Sequence, residues 1–96
     1  MTRVTFAEPA RAEAREARRY YEAISPELAR RFSAAFDRAV GRIEADPLLW
    51  PPLKGKVRRI LFDRFPYALI YQVEGDLVYV LTVMHQSRRP DYWRGR

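Results

Sequence analysis

The period of the hydrophobic positions changes several times along the chain, and each change marks an element. Val4 and Phe6 alternate with Arg3 and Thr5, which predicts a first strand over 3–6. Pro9 then opens a helix, where its missing N–H costs nothing. Ala10, Ala14, Ala17, Tyr21 and Ile24 recur at steps of four and three and predict one apolar helical face, with Arg11, Arg15, Arg18 and Glu22 on another. The apolar face is mostly alanine near its start, so a second helix can approach closely there. Ser25-Pro26-Glu27 restarts the helix, with Ser25 as cap and Pro26 in the first turn. The second helix is expected to bury Leu28, Phe32, Phe36, Val40 and Ile43, with Ala35 and Ala39 beside them. Asp46-Pro47 ends it, because a residue before proline avoids the helical region. The tight turn between the helices predicts an antiparallel hairpin.

Pro47, Pro51, Pro52 and Gly55 predict a loop over 48–55. Three strands should follow. Val57–Phe62 is the first. Tyr67–Val73 is the second, with Tyr67, Leu69, Tyr71 and Val73 on one face. Leu77–Met84 is the third, with Leu77, Tyr79, Leu81 and Val83 on one face. Gly75, between Glu74 and Asp76, supplies the positive φ of a tight hairpin turn. Pro66 precedes its strand, where a missing donor is tolerable. The order is β-α-α-β-β-β. Consecutive helices argue against a doubly wound parallel sheet. The expected class is α+β, a helical hairpin packed on one face of a largely antiparallel twisted sheet.

With 96 residues the chain is expected to form a single domain over 1–96, and 48% apolar and 31% charged residues are ordinary globular composition. There is no cysteine, hence no disulfide framework and no thiolate chemistry, which fits a reducing cytoplasm. No apolar run reaches the roughly 18 residues of a membrane span, and Met1–Phe6 has no signal-peptide character. A cytoplasmic protein with no membrane partner is expected.

The net charge is +6, and its location matters more than its size. Lys54, Lys56, Arg58, Arg59 and Arg64 against Asp63 give a net of +4 over 54–64. Arg88, Arg89, Arg94 and Arg96 against Asp91 give a net of +3 over 85–96. A localised basic field favours an anionic partner, either nucleic acid or an acidic protein segment; the plainer alternative is solubility. Lys54, Lys56, Arg58, Arg59, Arg64, Arg88 and Arg89 are therefore candidate target or nucleic-acid contacts. Tyr92 and Trp93 join them as stacking or contact groups, unless they pack on the edge of the core.

His85 is the single histidine, at the end of the last predicted strand. It is a candidate proton-transfer group; the alternative is a hydrogen bond that ties the C-terminal segment to the sheet. No Ser/His/Asp set, Gly-rich phosphate loop or metal-ligand spacing is visible, so no cofactor and no metal are expected. Glu13, Glu16, Glu22, Glu27 and Glu44 are expected on solvated helix faces, paired with arginines. Tyr20 and Tyr21 are adjacent on a helix, so one should be core while the other faces a groove. Leu48, Leu49 and Trp50 either lid the core or offer an apolar anchor to a partner.

Four stretches together resemble the RelE/ParE toxin superfamily. Ala17-Arg18-Arg19-Tyr20-Tyr21-Glu22 with Ser25-Pro26-Glu27-Leu28-Ala29-Arg30-Arg31-Phe32 is similar to its helical hairpin. Ile43-Glu44-Ala45-Asp46-Pro47 is similar to the helix end. Arg58–Tyr71 resembles the central strand pair. His85-Gln86-Ser87-Arg88-Arg89-Pro90-Asp91-Tyr92-Trp93 resembles the segment after the last strand. The resemblance implies the toxin of a type II toxin–antitoxin system, of the kind associated with plasmid stabilisation. Such a toxin is neutralised by a cognate antitoxin, for which Leu48, Leu49 and Trp50 would be an anchor, and meets promoter DNA only through that antitoxin.

Two activities divide the superfamily. RelE-like members cut mRNA on the ribosome, and ParE-like members poison DNA gyrase without being known as nucleases. A nuclease here would rely on His85, Arg88, Arg89 and Tyr92. However, Ala68 stands where RelE-like nucleases carry an arginine, which removes a guanidinium suited to gripping phosphate. The ParE-like reading therefore leads. The mRNA endonuclease is its first alternative, and a non-toxic antitoxin-binding co-repressor its second.

Overall fold

A computed structural model of the chain describes residues 2–87. The elements run β1 (Arg3–Phe6), α1 (Glu8–Ile24), α2 (Pro26–Ala45), β2 (Pro52–Lys54), β3 (Val57–Leu61), β4 (Tyr67–Glu74) and β5 (Leu77–His85). The sheet order is β1-β5-β4-β3-β2. Only β1 and β5 pair in parallel; the other three pairings are antiparallel. The connection between this parallel pair runs through the helical hairpin and then β2, β3 and β4. The α+β class and the hairpin stacked on the sheet are as the periodicities predict.

Local chemistry explains the hairpin. Pro9 sits in the first turn of α1 and Pro26 in the first turn of α2. Ser25 serves both helices: its N–H donates to Tyr21 O at 2.9 Å, and its Oγ accepts from Leu28 N at 3.0 Å. One residue thus closes α1 and caps α2, which keeps the turn too short for anything but antiparallel packing. Asp46 terminates α2 ahead of Pro47.

Ala10 and Ala17 of α1 and Ala29, Phe32, Ala35, Ala39 and Ile43 of α2 are buried. They meet Ile60, Phe62, Leu69, Tyr71, Val78, Val80 and Val83 of the sheet in one core. Phe32 is its hub, with ring centroids of Tyr21, Phe62, Phe65 and Tyr67 between 5.3 and 5.6 Å away. Ile70, Leu81 and Met84 form a second buried cluster, with Val57 packed against it. Alternation along the strands puts that cluster on the outer face of the sheet.

Three expectations need correction. The segment 48–55 is not all loop: Pro52–Lys54 pairs with β3 and adds a fifth strand. A strand at the sheet edge needs ladder donors on one side only, so a proline at its start is tolerated. Gly55, with φ 57°, makes the turn into β3. Ile24 is exposed, since it falls on the last turn of α1 beyond the reach of the sheet. Finally, β5 does not alternate cleanly. Its register against β4 shifts between Ile70 and Tyr71, which pair with Thr82 and Val80, so Leu81 is an inserted residue. The expected shared face of Leu77, Tyr79, Leu81 and Val83 is thereby broken: Val83 joins the inner face of Val78 and Val80, while Leu81 belongs to the outer cluster.

Candidate functional site

The basic residues of 54–64 divide into groups by the direction in which β3 points them. Lys54 ends β2 and Lys56 follows the Gly55 turn, with Lys56 Nζ 3.8 Å from Glu74 Oε1. Arg59 lies on the outer face, two positions from Val57 and two from the half-exposed Leu61. Arg58 alternates to the inner face, and its guanidinium donates to the carbonyls of Leu48, at 3.4 Å, and Trp50. Beside it the Tyr71 hydroxyl donates to Pro47 O at 2.8 Å. Burial pushes this phenol above its ordinary pKa, and the nearby Arg58 charge acts in the opposite direction. Arg58 and Tyr71 thus clamp the loop 47–50 from beneath. The clamp divides the apolar triplet: Trp50 packs on the core, whereas Leu48 and Leu49 are 60% and 64% exposed.

Arg64 lies beyond the far end of β3, in the turn into β4. The five residues of β3, at about 3.3 Å each, separate it from the Lys54–Lys56 turn. Its neighbour Asp63 accepts from Arg42 at 2.9 and 3.3 Å and from Arg38 at 3.4 Å. The hydrogen bonds and charge of Arg42, supplemented by those of Arg38, hold the Asp63 carboxyl below its ordinary pKa of 3.8, against desolvation that raises it. A depressed folded pKa contributes stability that is present above 3.8 and lost as pH falls through the lower folded value. In a carbon-detected titration Asp63 should therefore titrate below 3.8, and Arg42→Ala should move its midpoint back up. An unmoved midpoint in the variant would show that Arg42 is not the cause.

His85 closes β5 opposite Tyr67, with the two rings edge to face at 5.0 Å. Its Nδ1 accepts from Ser87 N at 3.0 Å, and Ser87 Oγ lies 2.7 Å away. Gln86 N donates to Pro66 O at 2.8 Å. His85 thus bonds within its own turn, and Gln86 holds that turn to the start of β4. The His85 ring also lines a hollow of ≈ 160 Å³ with Glu13, Glu16, Tyr20 and Tyr67. Tyr20 is exposed at this hollow while Tyr21 joins the aromatic core, as adjacency on a helix requires.

Glu13 departs from the expected solvated pairing. Its Oε1 accepts from Thr82 Oγ1 at 2.8 Å and from Val83 N at 3.1 Å. β1 pairs with β5 only as far as Val80, so the carboxylate stands in for the missing strand. The signal was in the sequence: Glu13 lies three residues after Ala10 and four before Ala17, on the buried stripe of α1. Glu22 and Glu27 do pair with arginines, Glu22 with Arg18 and Glu27 with Arg30 and Arg31.

Lys54, Lys56 and Arg59 thus stay near one another, whereas Arg58 turns inward and Arg64 joins α2. Arg88, Arg89, Tyr92 and Trp93 lie outside the described residues. Among the described residues no carboxylate or histidine cluster could hold a metal, and no helix is long and apolar enough to cross a membrane.

The family model described as the ParE toxin of the type II toxin–antitoxin system parDE matches residues 4–90. The chain belongs to the ParE toxin family. Its fold is similar to that of a solved chain from the "Chromosomal ParDE TA system from P. aeruginosa", with a TM-score of 0.76 and 19% identity. That match covers 88% of this chain and 96% of the other, and at such identity it speaks for the fold. No curated protein matches. As a ParE-family chain the protein is the toxin component of a type II toxin–antitoxin system, and an antitoxin is its implied partner.

Proposed function

We propose that this ParE-family toxin inhibits growth by poisoning DNA gyrase and that a cognate antitoxin neutralises it. Ala68 carries this reading. It is fully buried and pairs across the sheet with Leu61 and Met84. A methyl group packed between neighbours occupies the position at which RelE-like nucleases present a phosphate-gripping arginine. Without that cation an attack by the 2′-hydroxyl lacks a group to offset charge on the scissile phosphate. Lys54, Lys56 and Arg59, with Arg88, Arg89, Tyr92 and Trp93, would contact gyrase or its DNA complex. Leu48 and Leu49, exposed beside the clamped Trp50, would anchor the antitoxin, and promoter DNA would be reached only through it.

Purified toxin should trap gyrase–DNA cleavage complexes on supercoiled plasmid, and the antitoxin should abolish the effect. Translated messages mapped by primer extension after induction should be uncut. Codon-linked cuts without trapped gyrase would replace this reading with a ribosome-dependent endonuclease using His85, Arg88, Arg89 and Tyr92. Normal growth under unrestrained expression would leave only a binding protein acting as co-repressor.

A further inference from the structure

Counting charge along the chain makes the helical half look nearly neutral, but folding sorts it. α2 presents Arg31, Arg38 and Arg42, and the β3–β4 turn brings Arg64 to them. Leu28, Arg31, Ala34, Arg38, Asp63, Arg64 and Phe65 line an open groove there. Arg38 and Arg42 both bond Asp63, and Arg64, the next residue, lines the same groove. Arg64 holds φ at 67°. Among the described residues the other positive-φ positions are Gly55 and Gly75. An arginine held in the left-handed region points to a use for its side chain, since glycine would adopt that backbone without strain.

From these observations we infer a second polyanion site, separate from the Lys54–Lys56 edge, that takes the phosphodiester backbone of a nucleic acid. Two features select that occupant. Arg31 and Arg38 are seven residues apart on one helix, about 10 Å by helical rise, which no single carboxylate or phosphate spans. Three steps of a duplex, at about 3.4 Å of helix axis each, cover that length with successive phosphates. The groove also lacks a large exposed hydrophobic anchor: of its apolar lining, Leu28 and Phe65 are only partly exposed, Phe65 packs on the core, and Ala34 is small. Among the described residues the exposed large apolar side chains are Tyr20, Ile24, Leu48, Leu49, Leu53, Leu61 and Tyr79, and none lines it. An acidic protein segment would need such an anchor for most of its affinity, whereas a sugar–phosphate backbone needs only the guanidinium forks. Asp63 then acts as an internal competitor, holding Arg38 and Arg42 until phosphates replace it.

The test is gyrase-free, so its failure is distinguishable from failure of the gyrase reading. Binding of the full chain to a fluorescein-labelled 20-mer, single-stranded and duplex, is followed by anisotropy across salt concentrations. Arg64→Gly relieves the backbone while removing the cation, and an unchanged thermal midpoint of the variant separates lost binding from lost folding. The substitution should weaken binding about five- to ten-fold near 0.1 M salt and flatten the log–log salt slope by about one. Asp63→Asn should tighten binding, and Lys54→Ala with Lys56→Ala should leave these two effects in place. Unchanged binding in Arg64→Gly would overturn the proposal. So would a glutamate-rich peptide that binds with the same Arg64 dependence while both oligonucleotides do not.

Discussion

Replacing Phe32 with alanine should lower the thermal midpoint by roughly 15–30 °C, the largest stability effect expected of any single truncation in the chain. Phe32 is 2% exposed and touches aromatic rings from α1, the end of β3, the turn into β4 and β4 itself. Truncating a buried phenylalanine costs about 3–5 kcal/mol, from lost transfer energy and from the cavity left behind. The surrounding rings are large and mutually packed edge to face, so they cannot collapse into the void without leaving their own rotamers. Domains of this size have only about 5–15 kcal/mol in total. Phe32→Leu, which refills much of the volume, should recover part of the loss in the same melt. Equal midpoints for Phe32→Ala and wild type would mean that the aromatic hub is not where the two layers are held together.

The parts of this fold that were legible in sequence are those decided within a few residues. Ser25-Pro26 closes and reopens a helix by its own hydrogen bond and ring. Gly75 turns a hairpin because of its φ alone, and the alanines of α1 announce close helix packing. The parts that were not legible depend on partners distant in sequence. Pro52–Lys54 becomes a strand only because β3 offers an edge. Leu81 breaks the period of β5 where the pairing with β1 ends and Glu13 of α1 takes over. Arg58 looked like its neighbours Lys56 and Arg59, but a strand's alternation turns it beneath the loop, where two carbonyls hold it.

Charge illustrates the same limit. Read linearly, 54–64 is one basic segment. In three dimensions β3 carries its charges to opposite ends and faces, and Arg64 joins α2, whose acidic and basic residues nearly cancel in any tally. A charged surface is thus set by which turn meets which helix face, and periodicity does not encode that meeting. Ala68 is the converse case. It was informative in sequence only against a family pattern, and the packing of Leu61 and Met84 around it supplies the physical content.

Glu13→Ala should cost about 2–3 kcal/mol and should do so unevenly across the molecule. Val83 is 3% exposed, and its N–H loses the carboxylate that accepts it; an unsatisfied buried donor costs about 1–3 kcal/mol. The bond from Thr82 Oγ1 to the same oxygen goes as well, and bonds to charged groups are the stronger kind. β1 ends its pairing at Val80, so no strand is available to take over. The loss should therefore concentrate in the last residues of β5, where His85 faces Tyr67. Hydrogen exchange should quicken at Val83 and the residues after it while the helical hairpin keeps its protection. Glu13→Gln retains an acceptor oxygen and should restore most of the protection at Val83. If Glu13→Ala and Glu13→Gln exchange alike at Val83, charge matters there more than the hydrogen bond. If neither differs from wild type, the carboxylate is not what secures the end of β5 and the His85 it carries.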